Sequence, residues 1–208
     1  MRMGKQEFKP GNMLYPLPAV MISCQLTDDA FENAKPELLG KPNIITAAWA
    51  GTVCTNPPML SVSLRPSRYS YHIIEASGEF VVNLTTKKLA RATDYCGVRS
   101  GREHDKFAEL GLTPLPSKHV KAPGIAESPV NIECKVNRIL PLGSHSMFLA
   151  DVAGVTVDER YLRENGKFDL HAAGLLAYSH GEYFLLGEKL GTFGYSVAGK
   201  KHAKRRKK

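Results

Sequence analysis

Short runs rich in Val, Ile, Thr and aromatic residues, each bounded by Pro, Gly or Asn, constrain this fold more than any other feature. They lie at 19–25, 44–50, 60–64, 80–84, 130–139, 148–157 and 183–186. Three stretches read as helices. Residues 67–76 put Tyr69, His72, Ile73 and Ala76 on one stripe, whereas 88–95 and 105–110 are shorter. These helices do not alternate with the strands, which argues against a doubly wound parallel sheet. A mainly β architecture, an antiparallel barrel with a few peripheral helices, accommodates the pattern. Residues 111–129 carry Pro114, Pro116, Pro123 and Pro129 and read as a long loop, of a length that is usually functional or disordered. Asn165-Gly166 signals a hairpin turn, although 161–164 is equally compatible with a helix.

The chain has 208 residues and a formal charge of +8, which by itself points to nucleic acid or an anionic membrane surface. Its distribution argues otherwise. Seven of the 28 basic side chains fall in the last nine residues, leaving 21 basic against 20 acidic groups elsewhere. Residues 1–199 therefore read as one nearly neutral domain, and 200–208 as a basic, disordered tail. A nucleic-acid-binding module built on that tail is the alternative function, but the tail has no interleaved aromatics and no reading motif accompanies it. No apolar run approaches the ~20 residues of a membrane helix.

Cys24, Cys54, Cys96 and Cys134 are singly spaced and read as buried free thiols rather than metal ligands or a redox dithiol. Pro16 and Pro18 break the apolar stretch after Arg2 and Lys5, so no secretory signal is expected and a cytoplasmic location fits. In that setting the glycosylation sequon at Asn83-Leu84-Thr85 carries no meaning. The 27–40 connection, with Asp28, Asp29, Glu32 and Glu37, is longer than a hairpin needs and reads as a solvated insertion or a partner surface.

The common nucleotide, metalloprotease and serine-hydrolase motifs are missing. The densest chemical signal is Ser63-Leu64-Arg65-Pro66-Ser67-Arg68-Tyr69-Ser70-Tyr71, where a strand gives way to a helix. Pro66 stops the strand and Ser67 is the expected N-cap. A helix N-terminus beside Arg65 and Arg68 suits a phosphate, although a capped surface helix with solvated arginines has the same local sequence. Upstream, Asn43-Ile44-Ile45-Thr46-Ala47-Ala48-Trp49-Ala50-Gly51 sets small residues beside the single tryptophan. A flat ligand could approach there, or Trp49 could be an ordinary core aromatic.

These runs, together with SGREHDKF at 100–107 and LGSHSMFLADV at 142–152, resemble the flavin reductase-like, FMN-binding split-barrel family, and most closely its flavoredoxin-like branch. The resemblance spans roughly 12–195 and implies a Greek-key split β-barrel, a homodimer and an FMN cofactor near the subunit interface. It implies that Ser63, Leu64, Arg65, Ser67, Arg68 and Tyr69 surround the FMN phosphate. Thr46, Ala47, Ala48 and Trp49 would run beside the flavin, with Asn43 and Ser70 adding polar contacts. Ser100, Gly101, Lys106, His145 and Tyr178 match later positions of the family pattern. Lys106 and His145 are the candidate electrostatic tuners of the flavin, placed near its N1 and C2 carbonyl. The implied activity is FMN-dependent electron or hydride transfer from NAD(P)H or a redox protein, with a non-enzymatic FMN electron carrier as the other reading.

Overall fold

The computed structural model describes residues 4–27 and 39–198, so the basic tail and most of the 27–40 connection lie outside the described residues. In chain order the strands are β1 (Leu17–Pro18), β2 (Val20–Cys24), β3 (Asn43–Ala47), β4 (Ala50–Thr55), β5 (Pro58–Leu64), β6 (Glu79–Leu84), β7 (Pro114–Leu115), β8 (Gly124–Ile125), β9 (Val130–Pro141), β10 (Ser146–Val157), β11 (Leu176–Ser179) and β12 (Glu182–Leu185). The α-helices are α1 (Tyr69–Ser77), α2 (Ala90–Val98) and α3 (Lys106–Leu110). Seven strands form one antiparallel sheet in the order β3-β2-β6-β9-β10-β5-β4, and β1, β11 and β12 form a smaller sheet. No described helix is long and apolar enough to cross a membrane.

The expected single strand at 44–50 is in fact two. β3 ends at Ala47 and β4 begins at Ala50, yet these strands occupy opposite edges of the seven-stranded sheet. Ala48 and Trp49 alone join those edges, so the sheet must curl until they meet. The Ser63 N–H donates to the Trp49 carbonyl at 2.8 Å, carrying the β4–β5 pairing up to this join. A barrel follows from the connection itself.

Side-chain alternation sorts the core into two layers. From β2 and β3, Val20, Ile22, Cys24, Ile45 and Ala47 point into the barrel, where they meet Leu60, Val62, Leu64, Phe80 and Phe148. The opposite faces send Met21 and Ile44 against Leu89, Ala92 and Cys96 of the α2 region, and against Phe107 of α3. Because β3 is covered on both faces, it reads as a continuous apolar run rather than an alternating one.

Helix α1 ends at Gly78, whose left-handed backbone (φ 69°) lets its N–H reach the Ile74 carbonyl. Its buried residues are Ser70, Tyr71, Ile73 and Ile74, not the expected stripe through His72. Tyr69 and Ala76 do pack, half-buried, against the core. His72 lies at the margin instead, paired with Glu75 at 3.4 Å.

The Pro-rich 111–129 segment is ordered and covers the outer face of β6, where Val120 and Ala122 pack on Val81. Polar bonds fasten it. The fully buried Asn83 donates to the Met21 carbonyl and to Ser23 Oγ, both at 2.9 Å. Its Oδ1 accepts from the Ile125 N–H at 2.9 Å and from Asn131 Nδ2 at 2.8 Å. Asn83 is therefore a structural hub with no access for a glycan. At Asn165-Gly166 the hairpin turn wins over the helix: Leu162 bridges Phe168, and Gly166 has φ 73°.

Of the four cysteines, Cys24, Cys96 and Cys134 are buried and free, while Cys54 is partly exposed. Burial pushes the Cys24 and Cys134 thiols up to about 12 and the Cys96 thiol up to about 11, well away from thiolate chemistry.

Candidate active site

A cleft of about 420 Å³ opens at the seam where the sheet edges meet. Its walls are Thr46, Ala47, Ala48 and Trp49 from the end of β3, Ser63, Leu64 and Arg65 from the end of β5, and Arg68 just before α1. His145 enters from the turn before β10, and Tyr178 from β11. A second cleft of about 290 Å³ continues from the first, sharing Ile45, Arg68 and Gly97 with it. Asn43, Ser67, Tyr69, Ser70, Ser100, Gly101 and Lys106 line this second cleft. Residues scattered between positions 43 and 178 thus converge on one continuous depression, because the barrel seam and the N-terminal end of α1 meet there.

The expected N-cap at Ser67 does not form. The Arg68 N–H donates to the Arg65 carbonyl at 3.0 Å, closing a turn with Pro66 and Ser67 at its centre. Proline presets the backbone for such a turn, so the helix starts one residue later. Arg68 is the capping residue, in extended conformation, with no side-chain cap. The Ser67 side chain is exposed and faces the second cleft.

The electrostatics of the depression are cationic. Arg65 and Arg68 are exposed, and among the described residues neither has a carboxylate partner. Partial burial, then the charges of Arg65 and Arg68, hold His145 below the ordinary histidine range. The same surroundings disfavour the imidazolium form of His145. Its ring lies 4.4 Å from that of Trp49, centroid to centroid. Trp49 itself is 38% exposed, so it is a cleft wall and not a core aromatic.

Lys106 is not a surface lysine of a short exposed helix. It is 3% exposed, and its Nζ donates to the Ile44 carbonyl at 2.6 Å and the Cys96 carbonyl at 3.1 Å. Burial lowers its pKa, and the charge of Arg68 adds to that effect. A lysine whose folded pKa lies below its unfolded value loses stability below the folded pKa and regains it as pH rises towards the unfolded one. Lys106→Met is accordingly expected to flatten the alkaline part of the stability–pH curve, measured by urea unfolding between pH 7 and pH 10.

Asn43 and Gly101 form the tightest contact in the second cleft. Asn43 Nδ2 donates to Ser70 Oγ at 2.8 Å, and a Cβ on residue 101 would sit 2.2 Å from Asn43 Oδ1. Any side chain at 101 must push back either the pinned asparagine or the 99–105 loop. Gly101→Ala is expected to weaken ligand binding to the depression by roughly tenfold, read by titration with FMN, at a smaller cost in stability.

Sequence reasoning missed Asp94, Gly97 and Val98, which α2 presents to the first cleft, and Tyr183 from β12. Their i, i+3, i+4 spacing was visible, but nothing local said which face of α2 met the seam. A Cβ at Gly97 would lie 3.4 Å from Thr46 Cβ, an ordinary van der Waals contact, so α2 packs close to β3 at this point. Among the described residues no group of three or more His, Cys, Asp or Glu side chains is placed to hold a metal ion.

Comparison with known proteins agrees with this architecture. The flavin reductase like domain model matches residues 14–187. An uncharacterized protein of Archaeoglobus fulgidus is 34% identical over 144 residues, covering 69% of this chain and 80% of the relative. The flavoredoxin of Desulfovibrio vulgaris (Miyazaki F) superposes with a TM-score of 0.82 at 33% identity, over 94% of this chain and 100% of that one. A split-barrel-domain protein of Shewanella frigidimarina shares the fold with a TM-score of 0.73 at 21% identity, over 86% of each chain. The seven-stranded sheet closed at Ala48–Trp49 is a split barrel, and the chain belongs to the flavin reductase-like family.

Proposed function

We propose that this chain binds FMN in the continuous depression and passes electrons or hydride between a reduced donor, NAD(P)H or a redox protein, and an acceptor. One observation carries this reading. Two arginines with no acidic partner among the described residues stand at the N-terminal end of α1, beside a cleft walled by Trp49 and small residues. A phosphate monoester needs the first and a planar ring system the second.

Arg65 and Arg68 would hold the phosphate, with Ser63, Ser67, Tyr69 and Ser70 nearby. Thr46, Ala47, Ala48, Trp49 and Leu64 would flank the ring, with His145 and Tyr178 at its margin. Asn43, Ser100, Gly101 and Lys106 would close the polar end. Bound FMN supplies the two-electron chemistry, and the protein supplies position and electrostatics. Lys106 does this through its amino group, and His145 through its ring nitrogen.

The test begins with colour and cofactor. Purified protein should be yellow and release FMN, whereas colourless protein that takes up no added FMN would sink the reading. Anaerobic mixing with NADH and NADPH then separates reductase from carrier, because a carrier is reduced by neither. A homodimer with the depression near the interface is part of the proposal. The exposed Leu186, Leu190, Phe193 and Tyr195 of the C-terminal segment support it, since one chain leaves them uncovered. Light scattering should give twice the chain mass.

His145 supplies a pH test. Neutralising Arg65 and Arg68 with a phosphate raises the His145 pKa, so FMN binding takes up a proton and gains affinity as pH falls through the histidine range. The phosphate's own protonation near pH 6 works in the opposite direction. Comparison with His145→Gln isolates the effect: wild-type affinity should rise relative to the variant between pH 7.5 and pH 5.5.

A further inference from the structure

Beyond the pair assigned to one phosphate, the second cleft carries more positive charge than that phosphate requires. Arg99 and Arg102 line it, both exposed, and neither has a carboxylate partner among the described residues. The nearby acids are largely committed: Asp105 to Lys41 at 3.0 Å, and Glu109 to Tyr95 and His104. Glu103 is the one carboxylate that lines the cleft.

The loop bearing these arginines is held in place. The Glu103 and His104 N–H groups donate to the Ser100 carbonyl at 3.2 and 3.1 Å, and the Arg102 N–H donates to Ser100 Oγ at 3.3 Å. His104 is tied to Glu109 of α3 at 3.1 Å, and Gly101 abuts Asn43. The Arg102 guanidinium lies 5.9 Å from the Tyr69 ring centroid, which orients it without satisfying its hydrogen-bond donors. Two guanidinium groups on a held backbone, unpaired among the described residues, make a cationic wall suited to an anion.

We propose that Arg99 and Arg102 form a second phosphate subsite, distinct from the Arg65–Arg68 pair, which takes a further phosphate group of a dinucleotide. The proposal rests on the reading that Arg65 and Arg68 hold a flavin phosphate. Arg68 lines both clefts, and Arg99 and Arg102 line the second, so a ligand that meets Arg68 with one phosphate and extends into the second cleft enters a space walled by Arg99 and Arg102. The phosphate could belong to the diphosphate of FAD or to the nicotinamide donor, and the experiment distinguishes them.

The double variant Arg99→Gln/Arg102→Gln retains side-chain length and leaves Arg65 and Arg68 intact. Equilibrium titrations of wild type and variant with FMN and FAD, and of the FMN-loaded proteins with NAD⁺ and NADP⁺, give the readout. Losing charge-assisted bonds to a phosphate should weaken the relevant dinucleotide by roughly tenfold or more, while FMN changes by less than about twofold. A loss confined to FAD assigns the subsite to the flavin diphosphate. A loss for NADP⁺ but not NAD⁺ assigns it to a 2′-phosphate, and equal losses for both to the nicotinamide diphosphate. Unchanged binding of every dinucleotide, or a loss for FMN as large as for the others, overturns the proposal. Wild-type protein that binds no FMN refutes the underlying reading instead, and the dinucleotide titrations then stand on their own.

Discussion

Arg68→Ala protein should bind FMN about thirty- to a hundredfold more weakly than wild type, and riboflavin almost as well as before. A hydrogen bond to a charged group contributes about 1.5–3 kcal/mol, and a guanidinium facing a phosphate offers two of them. Arg68 lines both clefts and is ion-paired to no carboxylate among the described residues, so its loss falls on the ligand rather than on an internal pair. Riboflavin shares the ring and ribityl chain but lacks the phosphate. Fluorescence titration with both ligands therefore separates a phosphate contact from general damage to the cleft. Equal weakening for the two would place the phosphate elsewhere. Raised salt should also reduce wild-type FMN affinity more than that of the variant, because the screened interaction is already missing from the variant.

The largest expected effect on stability comes from Asn83→Ala, which should lower the unfolding free energy by about 3 kcal/mol or more. The amide joins β6 to β2, to β9 and to the 111–129 segment through Met21, Ser23, Asn131 and Ile125. Its removal leaves the Ile125 N–H without that acceptor in a fully buried setting, and Ser23 Oγ loses a donor. Each stranded group costs about 1–3 kcal/mol, and a small cavity adds to the cost. Urea unfolding should show a lower midpoint with an unchanged slope. An Asn83→Ala protein within about 0.5 kcal/mol of wild type would mean that water replaces the amide.

These two residues also show how far each level of structure could be read in advance. Arg68 stood out because an arginine next to a strand-ending proline and a serine-rich helix start carries chemistry locally. Asn83 did not, since its partners on other segments lie 42 to 62 residues away and only tertiary pairing brings them together. The longer strands β9 and β10 were legible from their residue types. β4 was not: Ala50–Thr55 has small, mostly exposed residues with no apolar alternation, and it is a strand because β5 pairs with it. The same pairing split the expected 44–50 strand at Ala48 and Trp49.

The clefts divide along similar lines. Motif resemblance named residues that line them, Lys106 and His145 included, but not which cleft each one faces. The chain buries Lys106 against two backbone carbonyls in the second cleft and puts His145 in the wall of the first. A lysine's surroundings follow from what packs over it, in this case β3 and α2, which local sequence does not encode. Arg99 and Arg102 were overlooked for the related reason that an unpaired cation is recognised only once every acid nearby has been located.

By itself, the sequence determined a mainly β chain with short helices, a near-neutral body, the phosphate-type signal at Arg65–Arg68 and the family resemblance. Each of these depends on residue type and near-neighbour spacing. Only the tertiary structure decided that the sheet closes at Ala48–Trp49, that two clefts join through Arg68, and which cations remain unpaired. Those properties depend on distances between segments far apart in the chain, which are set when the barrel and its covering helices pack.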